Sequence, residues 1–335
     1  MNSSCVFLGT TEKIKEVYGE KLLNRMSAET GIDKRAVFTE DMLKENKETL
    51  RNAVFVFGTW GFPALSVSQI REYLPNLKYV FYAAGSVKGF ADAYFENGIR
   101  IFSAAAANAV PVAQVTAAQI TLANKGFFQH IMHTKNGEDS VARGEVNLYP
   151  GNIGAKIGII GAGAIGRRVI ELLSAEENEI FVFDPFLSAE TAEKLGVRLC
   201  SLETLFSECD TISNHLANNK QTQGILNYGL FSRMKPNAVF INTGRGAQVV
   251  EQDLVKALSE QTDRTAVLDV TDPEPPSPDH PFFKMPNVFL TPHFAGSCGN
   301  EPQRMARYMY EEYLRIADGE KPLYEVTPNM LKTMA

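Results

Sequence analysis

The sequence predicts an α/β protein built from two doubly wound parallel-sheet domains, on three observations. At 335 residues the chain is longer than one ordinary hydrophobic core requires, so two domains are expected. Short apolar runs alternate with helix-like segments in two successive series. A glycine-rich turn, Gly161 to Gly166, joins a run to a helix-like segment near the middle of the chain.

In the first series, residues 5–8, 36–38, 53–57, 78–82 and 99–102 read as strands. Helical patterns lie between them at 12–26, 40–51, 67–74 and 89–96. Strict alternation implies parallel strands covered by helices on both faces, and five of them suit a flavodoxin-like unit. The second series opens at 156–160 and continues at 179–183, 211–214, 238–242, 265–269 and 288–290. Six strands are the count of a Rossmann dinucleotide-binding domain. A helix over 302–316, with Pro302 in its first turn, closes the chain. The helical stretches 111–134 and 302–316 are candidates to pass between domains. If both do, the first domain comprises 1–105 with 299–335 and the second 106–298. No internal repeat is visible, and 273–281 is a proline-rich loop.

The bulk numbers exclude several classes. A composition of 44% hydrophobic and 21% charged residues is that of a soluble globular protein. A net charge of −6 argues against nucleic acid and weakens the case for an anionic membrane. The N-terminus has neither a basic region nor a sustained apolar stretch, so no signal peptide is expected. Residues 101–124 carry no charge, but Asn108, Gln114, Thr116, Gln119 and Thr121 make them too polar to span a bilayer. Cys5, Cys200, Cys209 and Cys298 form no C-x-x-C pair, which fits reduced thiols in a cytoplasmic protein. His130 and His133 lack a suitably spaced acidic or thiol partner, so no metal is expected.

The turn Gly161-Ala162-Gly163-Ala164-Ile165-Gly166 follows a strand and opens a helix, the context that gives G-x-G-x-x-G its meaning. Gly161 permits the tight turn, Gly163 lets backbone approach a pyrophosphate, and Gly166 lets helix pack on strand. The phosphates would then meet free N–H groups at the helix start. Asp184, after the second strand and before Pro185, can accept hydrogen bonds from a ribose 2′-hydroxyl and repels a 2′-phosphate. NAD is therefore favoured over NADP, although Arg167 and Arg168 could blunt the preference.

Three further stretches end predicted strands. Thr243-Gly244-Arg245-Gly246 places a guanidinium where open α/β sheets bind ligands, able to hold a carboxylate at two points. Asp269 to Pro275 contains Glu274, and Thr291-Pro292-His293 supplies an imidazole. Arg, Glu and His together suit oxidation of an alcohol beside a carboxylate. Hydride leaves C2, histidine takes the hydroxyl proton, and a carboxylate orients the ring.

These stretches resemble the D-isomer-specific 2-hydroxyacid dehydrogenases. The likeness rests on Gly161–Gly166 with Phe183-Asp184-Pro185, then Asn214-His215-Leu216 and Asn242 to Gly246. It continues in Asp269-Val270 with Glu274-Pro275 and in Thr291-Pro292-His293. In the first hundred residues it rests mainly on Ala84-Gly85-Ser86-Val87. The resemblance implies an NAD(H)-dependent enzyme acting on a small 2-hydroxy or 2-keto acid. By it, Arg245 binds the substrate and His293 is the acid/base. Glu274 would hydrogen-bond His293 and keep it a proton donor for ketoacid reduction. Asp269 would lie near the nicotinamide, and His215, Leu216, Thr222, Thr243, Gly244 and Gly296 would line the cofactor cleft with Ala164 and Ile165. Backbone N–H groups at Ala84, Gly85 and Ser86 would meet the substrate carboxylate. A homodimer through the cofactor domain is also implied.

Two departures touch the cleft: Gln114 stands where the family usually has Glu, and Leu216-Ala217 replaces a proline-containing turn. Trp60, the single tryptophan, is a candidate for the substrate pocket or a loop anchor. Formate dehydrogenases resemble a Gln–His pair and a methyltransferase would not explain the Arg, Glu and His. The competing class is an NAD(H)-sensing regulator that reuses the fold without turnover.

Overall fold

The computed structural model describes residues 4–332. They divide into two compact units: one runs up to Asn108 and resumes at Ser297, and the other runs from Ala109 to Gly296. The chain passes through β1 (Cys5–Leu8), β2 (Val37–Phe38), β3 (Phe55–Gly58), β4 (Tyr79–Tyr82) and β5 (Arg100–Ser103) in the first unit. It continues through β6 (Ile153–Ile160), β7 (Glu177–Phe183), β8 (Arg198–Leu199), β9 (Thr211–Asn214), β10 (Val239–Asn242), β11 (Thr265–Leu268) and β12 (Val288–Leu290) in the second. It then returns to the first with β13 (Glu325–Val326).

The first sheet has the order β13-β5-β4-β3-β1-β2. Its five parallel strands thus follow the flavodoxin-like 2-1-3-4-5 arrangement. Period-two alternation sends Val6, Leu8, Val56, Val80 and Ile101 into one core, and Phe7, Phe57, Phe81 and Phe102 into the opposite one. The rings fall in register across β3, β4 and β5, with centroids 5.0 Å apart for Phe57–Phe81 and 5.2 Å for Phe81–Phe102. Helices Thr11–Thr30 and Pro302–Ala317 cover this aromatic face through Ile14, Val17, Met305 and Met309.

The second sheet is parallel throughout, in the order β12-β11-β10-β9-β6-β7-β8. It is the Rossmann order with one more strand, and its topological switch point lies between β6 and β9. Among the described residues no helix is long and apolar enough to cross a membrane.

Several expectations need correction. The first sheet has six strands, not five, because β13 adds antiparallel to β5. The second has seven, not six, because β8 adds to β7. The helix expected over 40–51 is broken into Glu40–Met42 and Lys47–Leu50, since only Leu43 and Leu50 there are buried, too few for an apolar stripe. The helix expected over 111–134 is two helices, Ala105–Ala123 and Phe127–Lys135, with Pro111 inside the first. Gly126 parts them with φ 67°, and the Tyr149 ring lies 2.4 Å from where a Cβ would stand. The chain leaves the first unit within helix Ala105–Ala123, but it returns at Gly296–Ser297, ahead of helix Pro302–Ala317. The divisions fall at 108/109 and 296/297 rather than at 105/106 and 298/299.

Candidate active site in the seven-stranded unit

The glycine turn lies where β6 ends, at the switch point. Gly161 has φ 93°, and a Cβ on it would lie 2.9 Å from the His215 carbonyl oxygen of the neighbouring loop. A Cβ on Gly166 would come 2.0 Å from Gly161 O, so helix Ala164–Leu173 packs tightly against the strand end. Around Gly163, by contrast, nothing stands within 4 Å. Gly163 caps that helix without a side-chain hydrogen bond, leaving the first N–H groups at Ala164 and Ile165 uncapped. An open glycine beside uncapped N–H groups fits a pyrophosphate.

Asp184 sits across the same loop. Its Oδ2 accepts the Ala162 N–H at 2.7 Å and its Oδ1 accepts the Phe186 N–H at 2.8 Å, on either side of exposed Pro185. A carboxylate has lone pairs beyond these two, so a ribose hydroxyl can still be received. Arg167 donates from Nε to Ala162 O at 2.8 Å. Beyond β9, His215 is 8% exposed, with Nε2 2.9 Å from Ser213 Oγ. Burial pushes its pKa down to about 3, so the ring is neutral. Leu216 follows, also buried, and Thr222 Oγ1 donates to Ala217 O at 2.6 Å to close the loop.

The Arg245 turn is fixed by buried amides and hydroxyls. Asn242 Oδ1 accepts the Gly244 N–H at 3.0 Å, and Asn242 Nδ2 donates to Arg245 O at 3.1 Å. Gln248, fully buried, accepts from Asn214 Nδ2 at 2.6 Å and from Arg245 N–H at 3.4 Å. Thr243 and Thr116 share a hydroxyl bond of 2.9 Å. A Cβ on Gly246 would fall 2.0 Å from the Thr271 carbonyl carbon, so this turn abuts the loop after β11. Arg245 itself is half-buried, its Nη1 donating to Gly244 O at 2.7 Å. Thr116 and Gln248 escaped the sequence reading. Their only signal was a polar residue among apolar neighbours, in 111–120 and between Ala247 and Val249.

The histidine and the glutamate meet. His293 Nδ1 lies 2.5 Å from Glu274 Oε1, with the side chains 44% and 39% exposed. His293 holds φ 53°, a left-handed conformation that a non-glycine residue keeps only when its surroundings enforce it. Asp269 enforces it. Its backbone carbonyl accepts the His293 N–H at 3.0 Å, and its carboxylate accepts Thr291 Oγ1, Phe294 N–H and Ala295 N–H at 2.7–3.0 Å. Expected beside the nicotinamide, Asp269 thus has both carboxylate oxygens engaged by the His293 loop. Arg245, Glu274 and His293 rise from β10, β11 and β12, adjacent strands whose ends Asn242, Leu268 and Leu290 pair in register.

Trp60 and the Ala84-Gly85-Ser86 turn belong to the other unit, after β3 and β4. There Thr59 Oγ1 donates to Ala83 O at 2.8 Å, tying the two strand ends, and Trp60 packs half-buried against both cores. Ser103 Oγ donates to Ala84 O at 3.1 Å and also to Gly85 O, while Ser86 is exposed. Gln114 is exposed and Gly296 half-buried. Among the described residues no group of three or more His, Cys, Asp or Glu could hold a metal ion. His133 meets Glu138 at 2.8 Å and Glu145 at 3.4 Å instead.

The family described as "D-isomer specific 2-hydroxyacid dehydrogenase, NAD binding domain" matches residues 124–295. A D-3-phosphoglycerate dehydrogenase of Archaeoglobus fulgidus is 31% identical over 255 residues, 75% of this chain and 47% of that protein. A glyoxylate reductase of Aeropyrum pernix is 36% identical over 179 residues, 53% of each chain. The chain spans about half the length of the curated relatives it matches. The crystal structure of a phosphoglycerate oxidoreductase from Rhizobium etli matches with a TM-score of 0.80 at 21% identity, over 98% of this chain and 99% of that one. At that identity it speaks for the fold.

Proposed function

This chain belongs to the D-isomer specific 2-hydroxyacid dehydrogenase family, with an NAD binding domain, and from that premise we propose that it interconverts a small D-2-hydroxy acid and its 2-keto acid. The observation that carries the reading is the 2.5 Å contact between Glu274 and His293, one strand away from Arg245. NAD(H), when bound, supplies or accepts the hydride at C2. His293, with Nδ1 turned to Glu274, has Nε2 free to give a proton to the carbonyl oxygen in reduction and to take it back in oxidation. Glu274 offsets the charge of the imidazolium. Arg245 holds the substrate carboxylate and steadies the carbonyl by two-point hydrogen bonding. Gly161, Gly163 and Gly166 receive the pyrophosphate and Asp184 the adenosine ribose, so NAD is preferred over NADP.

The reading includes a cytoplasmic location and a homodimer joined through the seven-stranded unit. Exposed Phe127, Ile131, Val141, Val146, Leu148 and Ile153, all in that unit, support the dimer. Light scattering that gives a monomer's mass at micromolar concentration removes it.

The deciding experiment follows NADH oxidation with a panel of small 2-keto acids. Turnover of at least one, with the D-hydroxy acid as product, is expected. A protein that binds NADH yet turns over none of them is a sensor and not an enzyme.

A further inference from the structure

The loop that carries Glu274 has little backbone of its own to hold it. Pro273, Pro275, Pro276 and Pro278 have no N–H to donate, so four of its positions cannot join a ladder or turn as donors. Inside it, Thr271 Oγ1 donates to Pro273 O at 2.9 Å and His280 N–H to Ser277 O at 2.9 Å. Neither bond reaches Glu274, whose side chain must nonetheless stay against His293.

The fastening comes from outside, from one carboxylate. Glu251 is the first residue of helix Glu251–Glu260, and its side chain is 11% exposed. Its Oε1 accepts the Asp272 N–H at 2.9 Å, two positions before Glu274. Its Oε2 lies 3.2 Å from His280 Nε2, at the far end of the loop. His280 is seated in turn: Nδ1 accepts the Phe282 N–H at 3.4 Å, and its ring lies 4.5 Å from that of buried Phe282. With Nδ1 accepting, the hydrogen of a neutral ring is on Nε2, the nitrogen that lies 3.2 Å from Glu251 Oε2. Burial pushes the Glu251 carboxyl up, while the Asp272 N–H and His280 pull it back.

We propose that Glu251 is a positioning residue for the Glu274–His293 pair, closing the loop that bears Glu274 by gripping both of its ends. The proposal rests on the acid/base reading above only for its effect on turnover; the grip on His293 can be read without it. Glutamine at 251 would keep the size but has one oxygen and no charge, so it cannot both accept the Asp272 N–H and set a second carboxylate oxygen against His280 Nε2.

The test uses the full chain. Ring 15N shifts of neutral His293, identified by their loss in H293Q, should report hydrogen on Nδ1 in the wild type. In E251Q they should move toward the Nε2–H form, and kcat should fall about 10- to 100-fold with NADH Kd unaltered. In an E274Q background the same change should cost less than about twofold more, because its route to His293 is already gone. H280N withdraws only the far anchor. It should move the shifts the same way to a smaller extent, and it carries the test if E251Q does not fold. Unchanged ring shifts in a folded E251Q or H280N, or losses that simply multiply in the double variant, overturn the proposal. If H293Q itself turns over like wild type, the acid/base reading falls, while the ring shifts still decide whether Glu251 holds Glu274 in place.

Discussion

The side-chain amide of Gln248 donates to the carbonyl of Leu216 at 2.6 Å, joining the Arg245 turn to the loop that follows β9. By the resemblance described above, Leu216-Ala217 stands in place of a proline-containing turn. Proline would have stiffened that loop through its fixed φ; here a hydrogen bond from a buried amide does it. Gln248→Leu leaves the buried Leu216 carbonyl without its donor and takes one of two acceptors from the Asn214 amide, which keeps Asn242 Oδ1 at 3.0 Å. A loss of about 1–3 kcal/mol in urea unfolding is expected, together with weaker NADH binding. Wild-type stability and affinity in that variant would show that the two loops are not joined through this residue.

His293→Ala removes the proton carrier and should lower kcat about 10²- to 10⁴-fold on any ketoacid that wild type reduces. NADH affinity, measured by fluorescence, should hardly change. Unchanged turnover takes His293 out of the chemistry.

Arg245→Ala should all but abolish ketoacid turnover, with NADH affinity largely kept, since Asn242, Gln248 and Thr243 hold the turn and the guanidinium adds a single bond to it, Nη1 to Gly244 O. Lysine should rescue little, because an ammonium cannot reproduce the planar two-point grip. Equal loss of NADH binding and turnover would mark Arg245 as a structural residue.

Asp184→Ser takes away the carboxylate held between Ala162 and Phe186. The ratio of kcat/KM for NADH over NADPH should fall, because the repulsion of a 2′-phosphate disappears. A ratio that does not move discredits the assignment.

His215 couples stability to pH. Its pKa falls from the ordinary 6.5 to about 3 on burial, so below pH 6.5 the unfolded chain takes up a proton that the folded chain refuses. Stability is therefore lost as pH drops from 6.5 toward 3. In His215→Gln the acid side of the stability curve should be flatter across that window; an equally steep curve would mean that the ring is not shielded.

The strands that carry Arg245 and His293 were readable because each is a compact apolar run with a polar turn at its C-terminal end, as at Val239–Asn242 and Val288–Leu290. The strands that escaped, Arg198–Leu199 and Glu325–Val326, are two residues long and lie at sheet edges. Arg198 and Leu199 are exposed and Glu325 is half-buried, so no hydrophobic periodicity marks them. Pro111 misled in another way. A proline suggests a helix start, yet helix Ala105–Ala123 begins earlier and absorbs it. In the site, residue types and strand ends pointed to Arg245, Glu274 and His293. The left-handed backbone of His293 and its tether through Asp269 depend on contacts between distant loops, which no local pattern encodes.

Strand β13 pairs with β5 through Glu325↔Phe102 and Val326↔Ile101, and Glu325 clasps Arg100 with two bonds of 2.7 Å. The order of synthesis therefore matters. The seven-stranded unit is one uninterrupted stretch and can complete itself while the remainder is still being translated. The six-stranded unit must wait for its last strand, leaving the outer row of β5 amides and carbonyls bare in the meantime. A released chain that stopped near residue 320 would have a finished nucleotide half and a sticky, half-built partner.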